Sequence, residues 1–188
     1  LIGYKKISKI KLNNDNQEGI LAENDLSPEI LEIELNKSYK QRNINPNNFS
    51  DKIDALNLLD KSNKLHEKIV NNLAKIFKQK KLPIQYTKHI DFLSIKNNKG
   101  YLFEVKTFNE SNFNQQIRHG IIQLREYYFT YGIYFKKIPL NTSLYLLLDK
   151  NPKEYLKNVQ QSFLRDQRIA LCWIENNKIM NLNEEILF

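Results

Sequence analysis

The sequence predicts an α/β fold in which helices cover a central mixed β-sheet. Segments rich in β-forming residues alternate with segments of helical periodicity in the order helix, three strands, helix, strand, helix, strand. Two of the early strands are joined by turn residues, as in a hairpin, while later strands are separated by helices. The length of 188 residues suits one domain, predicted at 50–188, with a small β appendage in front of it.

Residues 1–49 are predicted to form that appendage and a linker. The segment Tyr4–Leu12 alternates partly at period two, and Leu31–Leu35 resembles another short strand. The polar stretch 37–48 contains a proline and is typical of a linker. The basic first strand would either touch DNA or form a solvated edge protected by lysines, and the appendage could serve as a dimerisation arm.

The domain opens with a predicted helix that Ser50 and Asp51 can cap and that continues to about Gln79. Apolar residues repeat along it at helical spacing, so one face is expected to pack on the sheet: Leu65, Ile69, Leu73, Ile76 and Phe77.

A short strand at Leu82–Thr87 and a hairpin follow. The hairpin joins strands at His89–Ile95 and Tyr101–Thr107 through turn chemistry at 96–100. A polar loop at Asn109–Asn114 comes next.

The second half of the chain continues the alternation of helices and strands. It contains predicted helices at 114–131 and 151–165, buried strands at Ser143–Asp149 and Arg168–Glu175, and a short closing element at 179–188.

Polar residues interrupt the apolar strands of the hairpin. Glu104 and Lys106 share one strand face with Leu102, whereas Phe103 and the residues two and four positions on take the other. Burying either charge unpaired is costly, so a partner such as Asp91 or a divalent cation is expected. Two carboxylates with a backbone carbonyl and waters suit Mg²⁺ or Mn²⁺, and a neighbouring lysine can position or deprotonate an attacking water.

This pattern resembles a known nuclease motif. Asp91 followed by Glu104-Val105-Lys106 resembles the PD-(D/E)XK motif of the restriction-endonuclease-like superfamily, with Ile90 in place of the proline. On the next predicted helix, Gln123-Leu-Arg-Glu-Tyr127 is similar to the Gln-x-x-x-Tyr element that often accompanies it. The resemblance covers about residues 58–175.

The resemblance implies an α/β/α restriction-endonuclease-like core and a Mg²⁺- or Mn²⁺-dependent nuclease, most commonly acting on DNA, of restriction or defence type. It implies Asp91 and Glu104 as metal ligands, with the carbonyl of Val105 as a further ligand, and products with 5′-phosphate and 3′-hydroxyl ends. The preceding helix often adds a His or Glu, so His66 and Glu67 are both candidates. Each of these could equally be an ordinary structural residue.

The residues of the second helix have similar alternatives. Gln123 would steady a phosphate or water and Tyr127 would support the site through its hydroxyl, or both are ordinary polar residues of a helix. Gln116, Arg118 and Arg125 are candidates for phosphate contacts, although arginines on a helix surface are usually only solvated.

The amino-acid composition indicates which class of partner the protein binds. Lys and Arg number 29 against 21 Asp and Glu, which gives a net charge of +8 and a pI near 9.4. The excess favours a polyanionic partner such as a nucleic acid, although a Lys- and Asn-rich composition explains the charge equally well. Other functions that fit are a non-cleaving nucleic-acid-binding module derived from a nuclease, or a partner-recruiting domain of a larger complex.

Several classes of protein are disfavoured. The single Cys172, in an apolar run, excludes a disulfide framework or a cysteine-based zinc site within one chain. No stretch suits a membrane span or signal peptide, so a cytoplasmic protein is expected. The chain opens with Leu1 and its only methionine is Met180, so a fragment of a longer chain with an additional domain is expected. Double-strand cutting by a nuclease with a single site generally needs two active sites, so a homodimer is also expected.

Overall fold

The structure is a computed structural model that describes residues 31–32, 50–87, 89–182 and 186, and side chains at 60–85, 87, 89–182 and 186. Three α-helices, one π-helix and seven strands lie in these residues. The elements are β1 Leu31–Glu32, α1 Ser50–Gln79, β2 Gln85–Tyr86, β3 Phe92–Lys96, β4 Lys99–Lys106, α2 Phe113–Tyr127, the π-helix Tyr128–Tyr134, β5 Thr142–Leu148, α3 Asn158–Asp166, β6 Ile169–Glu175 and β7 Lys178–Met180.

The strands form one mixed sheet in chain order, β1 to β7. Neighbours from β1 to β4 are antiparallel, β4, β5 and β6 are parallel, and β7 is antiparallel to β6. The parallel pairs are those whose connections contain α2 or α3, because a parallel pair needs a long crossover. The predicted mixed sheet and the predicted order of elements in 50–182 are confirmed.

Two hydrophobic cores lie on opposite faces of this sheet. One joins α2 and α3 to residues such as Leu102 and Leu146, and the other joins α1 to residues such as Phe103 and Val105. Side chains alternate faces along β4, so Glu104 belongs to the face covered by α2. The predicted α/β class is therefore confirmed, with helices on both faces of the sheet.

Two hairpins turn through asparagine pairs. Asn97 and Asn98 have φ of 51° and 58°, and Asn176 and Asn177 have φ of 50° and 60°. Positive φ at both central residues defines a type I′ turn, whose twist matches that of the flanking strands. Asparagine tolerates this conformation better than most residues, which explains how a chain with five glycines builds both turns.

The long first helix is confirmed, but its predicted apolar face begins later. Leu65 is 37% exposed, whereas Ile69 and Leu73 are buried. Ser62 Oγ lies 2.8 Å from Thr107 Oγ1, one residue beyond the end of β4. This contact places the Ser62 end of α1 at the carboxyl end of β4, before the helix reaches the core that Ile69 and Leu73 join.

Two other helices differ from their predicted bounds. The helix predicted at 151–165 begins only at Asn158, because 151–157 form turns at Pro152 and Tyr155 packs against Phe108 with ring centroids 5.4 Å apart. The helix predicted to end at 131 changes into the π-helix after Tyr127.

Most of the predicted appendage lies outside the described residues, including the Tyr4–Leu12 strand and the linker. Its described part, Leu31–Glu32, pairs with β2 at the edge of the main sheet. Within the described residues, no helix combines the length and apolar character needed to cross a bilayer.

Candidate metal and catalytic site

The candidate site lies where β3 begins and β4 approaches its carboxyl end. Phe92 pairs with Phe103 in the antiparallel ladder, so continuing the register brings Asp91 opposite Glu104. Asp91 directly precedes β3, one position outside the strand in which it was predicted. The hairpin therefore brings together two carboxylates that are distant in sequence.

Hydrogen bonds fix Asp91 in this position. Its Oδ2 accepts a hydrogen bond of 2.8 Å from the backbone N–H of Val105. Immediately before it, Thr87 Oγ1 accepts hydrogen bonds from the backbone N–H groups of His89 and Ile90, at 3.1 and 2.9 Å. Thr87 and the buried Ile90 therefore fix the backbone that precedes Asp91, while the N–H of Val105 fixes its carboxylate.

Helix α1 adds His66 to the site. His66 Nε2 lies 3.1 Å from Asp91 Oδ2. Burial lowers the pKa of His66, but the hydrogen bond to Asp91 and the charges of Asp91 and Glu104 outweigh it, so the net shift is upward. Glu67 follows on the helix, about 100° further round the axis. Of the two candidates, the structure places His66 against the carboxylates.

Glu104 is the most constrained charged group of the site. It is 2% exposed, and its Oε1 accepts a hydrogen bond of 2.7 Å from Lys106 Nζ. Its Oε2 is buried and has no hydrogen-bond partner among the residues that the structure describes. Burial and the charge of Asp91 raise the pKa of Glu104 to about 8, against the opposing effects of Lys106 and His66. In the metal-free protein this carboxyl group is therefore mostly protonated at pH 7.

The donor set suits a small hard cation. An unpaired buried carboxylate oxygen beside a second carboxylate is relieved when a cation is bound. Among the described residues, no three His, Cys, Asp or Glu side chains are grouped to hold a metal ion. Asp91 and Glu104 could therefore hold a metal only with help from the carbonyl of Val105, water or substrate oxygens, as Mg²⁺ commonly requires.

Helix α2 brings Gln123 and Tyr127 to the same face of the sheet. Gln123 Nε2 donates a hydrogen bond of 3.2 Å to the Tyr127 hydroxyl. Burial and the negative charge of Glu104 raise the pKa of Tyr127, so the hydroxyl stays protonated. Gly120 lets α2 lie close to the sheet, because a Cβ at this position would overlap Leu146 of β5.

The other predicted residues of α2 occupy different positions on the helix. Gln116 is half-buried. It lies on the same face of the helix as Gln123 and Tyr127, because it precedes them by seven and eleven residues, or about two and three turns. Arg118 is exposed, and it lies about 200° around the helix axis from Gln116, because it follows that residue by two positions. Arg125 lines a separate cavity at the other end of β5.

Sequence reasoning missed two contributors at the mouth of the site. Asp149 directly follows β5 and its backbone N–H donates to the carbonyl of Lys106, while its Oδ1 accepts a hydrogen bond of 3.2 Å from the backbone N–H of Phe108. Burial raises the pKa of Asp149, although that hydrogen bond and Lys150 oppose the shift. Thr107 ties the same loop to α1. A carboxylate at the end of a strand parallel to β4 was the available signal, since such ends meet at one edge of the sheet.

Comparisons of the chain with protein-family models, with curated proteins and with solved structures found no significant match.

Proposed function

We propose that the protein is a divalent-metal-dependent nuclease of the PD-(D/E)XK superfamily that hydrolyses phosphodiester bonds in DNA, as a restriction or defence-type endonuclease. The observation that carries the proposal is the meeting of Asp91, Glu104 and Lys106, in which one buried oxygen of Glu104 lacks a partner within the described part of the chain. These residues are the ones in the motif that the sequence resembles, and a cluster of perturbed ionisable groups favours function over packing.

The proposed ligands of Mg²⁺ or Mn²⁺ are Asp91, Glu104 and the Val105 carbonyl. A bound cation would supply Lewis acidity, neutralising charge on the phosphate and on the departing oxygen. The hydrogen bond from Val105 and the contact with His66 hold the Asp91 carboxylate still, which lowers the cost of ordering the site when it is loaded.

Lys106 is the proposed residue that prepares water for attack. It lies on the same strand face as Glu104 but is 17% exposed, so its ammonium group can reach an incoming phosphate from a rigid strand. There it would orient the attacking water in line with the departing oxygen and stabilise charge on the phosphate. Tyr127 and Gln123 support Glu104 from the helix side by a neutral hydrogen-bonded pair.

The proposed substrate is DNA, and the excess of 29 basic over 21 acidic residues supports a polyanionic substrate. Contacts of Lys and Arg with phosphates supply most of non-specific nucleic-acid affinity, so binding should weaken steeply with salt. The superfamily resemblance favours DNA over RNA and implies 5′-phosphate products.

A cleavage assay tests the proposal. Supercoiled plasmid, linear duplex, single-stranded DNA and RNA are incubated with Mg²⁺, Mn²⁺ or EDTA, using wild type, Glu104→Gln and Lys106→Ala. We expect metal-dependent cleavage of DNA that both variants lose, with Lys106→Ala still binding DNA, because one lysine among many adds little affinity. Glu154→Gln is the matched control, since this carboxylate is exposed and lies on none of the helices or strands that carry the proposed site residues.

Two outcomes would contradict the proposal. Full activity of Lys106→Ala would refute the assigned mechanism. Binding of DNA without cleavage under every condition would favour a non-cleaving module, and the absence of binding even at low salt would favour a partner-recruiting domain.

A further inference from the structure

A cavity of about 580 Å³ lies at the opposite end of the parallel strands from Lys106. Its wall includes Thr142 and the residues that begin β5 and β6, whereas Lys106 pairs with Leu148 at the far end of β5. At about 3.3 Å per residue, Thr142 and Leu148 are about 20 Å apart along the strand. The lining extends along β5 as far as Tyr145, one residue before the Leu146 that pairs with Glu104, but the described lining residues include neither Asp91 nor Glu104.

Three arginines give this cavity its chemistry. Arg125 comes from the last turn of α2, Arg165 from the last turn of α3, and Arg168 from the residue before β6. No aspartate or glutamate is among the described residues that line the cavity. Like charges that converge without a counter-charge repel one another, so an anion bound between them would relieve the repulsion.

Arg125 is the most informative of the three. Its residue is half-buried, and its Nε is buried without a hydrogen-bond partner among the described residues. An unsatisfied buried donor on a cationic group is costly, and a phosphate oxygen is the acceptor that a planar guanidinium group fits best. Arg165 and Arg168 are exposed, so their guanidinium groups can adjust to a ligand.

Helix ends offer a competing explanation. Arg125 and Arg165 lie in the last turns of their helices, where a positive charge interacts favourably with the macrodipole. That interaction explains why one arginine is tolerated at each helix end. It does not explain why both, with Arg168, surround one cavity, or why Arg125 Nε remains unsatisfied.

The cavity also offers an aromatic surface. Tyr128 lines it, and its hydroxyl donates a hydrogen bond of 2.8 Å to the carbonyl of Leu140, which fixes the ring. A fixed aromatic ring beside guanidinium groups is a combination that binds a base together with its phosphate. The volume lies within the range of about 300–1,000 Å³ that is usual for small-molecule sites.

We infer that the cavity formed by Arg125, Arg165, Arg168 and Tyr128 is a binding site for the phosphate group of a nucleotide, either free or within a nucleic-acid strand. The site requires no metal and does not use the carboxylates. It can therefore be tested in EDTA, where its failure is distinct from a failure of the proposed nuclease activity.

Isothermal titration calorimetry in EDTA at low salt tests the inference with inorganic phosphate, adenosine 5′-monophosphate and a 5′-phosphorylated single-stranded oligonucleotide. We expect at least one of these probes to bind, and Arg125→Gln and Arg168→Gln each to weaken its binding tenfold or more. Lys75→Gln is the charge-matched control, because Lys75 is exposed on α1 across the sheet, and it should change affinity less than twofold.

The probes separate the two sources of phosphate. Binding of the mononucleotide indicates a free nucleotide, and binding of the oligonucleotide alone indicates a strand phosphate. Either result supports the site when Arg125→Gln and Arg168→Gln weaken the binding and Lys75→Gln does not. Because Arg168 is exposed, its variant should fold normally, which a urea unfolding curve checks. Absence of binding by all three probes, or equal weakening by Lys75→Gln and Arg168→Gln, would overturn the inference and leave helix-end stabilisation as the explanation.

Discussion

Replacing Glu104 by glutamine should make the metal-free protein more stable while abolishing the proposed activity. Glutamine keeps the shape of the side chain and an oxygen that can accept the Lys106 hydrogen bond, but it removes a charge that is 2% exposed. Because burial and Asp91 raise the pKa of Glu104, folding favours the protonated carboxyl group. Glutamine resembles that protonated form at every pH.

The size of the effect follows from the pKa of about 8 in the folded protein against an ordinary value of 4.5. Below pH 4.5 the carboxyl group is protonated in both states and costs nothing, and stability is then lost as the pH rises towards 8. Each tenfold change in proton affinity is worth about 1.4 kcal/mol, so the loss is about 3 kcal/mol at pH 7 and about half of that at pH 5.5. The advantage of the glutamine variant should grow with pH accordingly.

Urea unfolding in EDTA at pH 5.5 and 7 measures this difference. His66 also has a raised pKa, and its contribution is likewise lost as the pH rises. Because His66 is present in both proteins, the difference between wild type and variant mainly reports Glu104. Glu154→Gln, at an exposed position, should show no pH-dependent gain. A Glu104→Gln protein less stable than wild type at pH 7, or a difference independent of pH, would refute the reasoning.

Two further predictions concern metal affinity and helix packing. Because Glu104 must lose its proton to bind a cation, the apparent affinity for Mn²⁺ should fall about tenfold per pH unit below 8. Calorimetry at pH 6 and 7 measures this change, and Asp91→Ala should lose binding. Equal affinities at the two pH values would contradict the prediction. Gly120→Ala should lower the free energy of unfolding by about 1–3 kcal/mol, since its Cβ would overlap the buried Leu146. Gly132→Ala should be nearly neutral in the same urea titration, because a Cβ there would lie 3.4 Å from its nearest neighbour. Equal stability of the two alanine variants would show that α2 does not depend on this close approach.

Local patterns in the sequence were sufficient to predict the hairpin. Turn residues between two β-rich segments indicated antiparallel pairing, and two-residue alternation placed Glu104 on the face of Leu102. The contact of Asp91 with the Glu104 strand follows from that register. These are short-range consequences of strand geometry, which is why a sequence reveals them.

Features that depend on how elements cross were not predictable. The choice between His66 and Glu67 depends on the rotation of α1 over the end of the sheet, which periodicity fixes only to within a residue or so. The arginine cavity draws on α2, α3 and β6, and nothing in the spacing of Arg125 and Arg168 indicates that they meet. The π-helix leaves no distinct sequence period either, since its hydrogen bonds differ from those of an α-helix by one residue.

The central position of β4 has a consequence for the lifetime of the site. This strand is fourth of seven, bonded to a neighbour on each edge and covered by a core on each face. Backbone in such surroundings exchanges its amide hydrogens mainly through global unfolding, whereas the two-residue strand β1 can fray at little cost. Glu104 and Lys106 are thus carried by the slowest-opening part of the molecule. Their spacing should survive local fluctuations, and on heating it should disappear together with the fold.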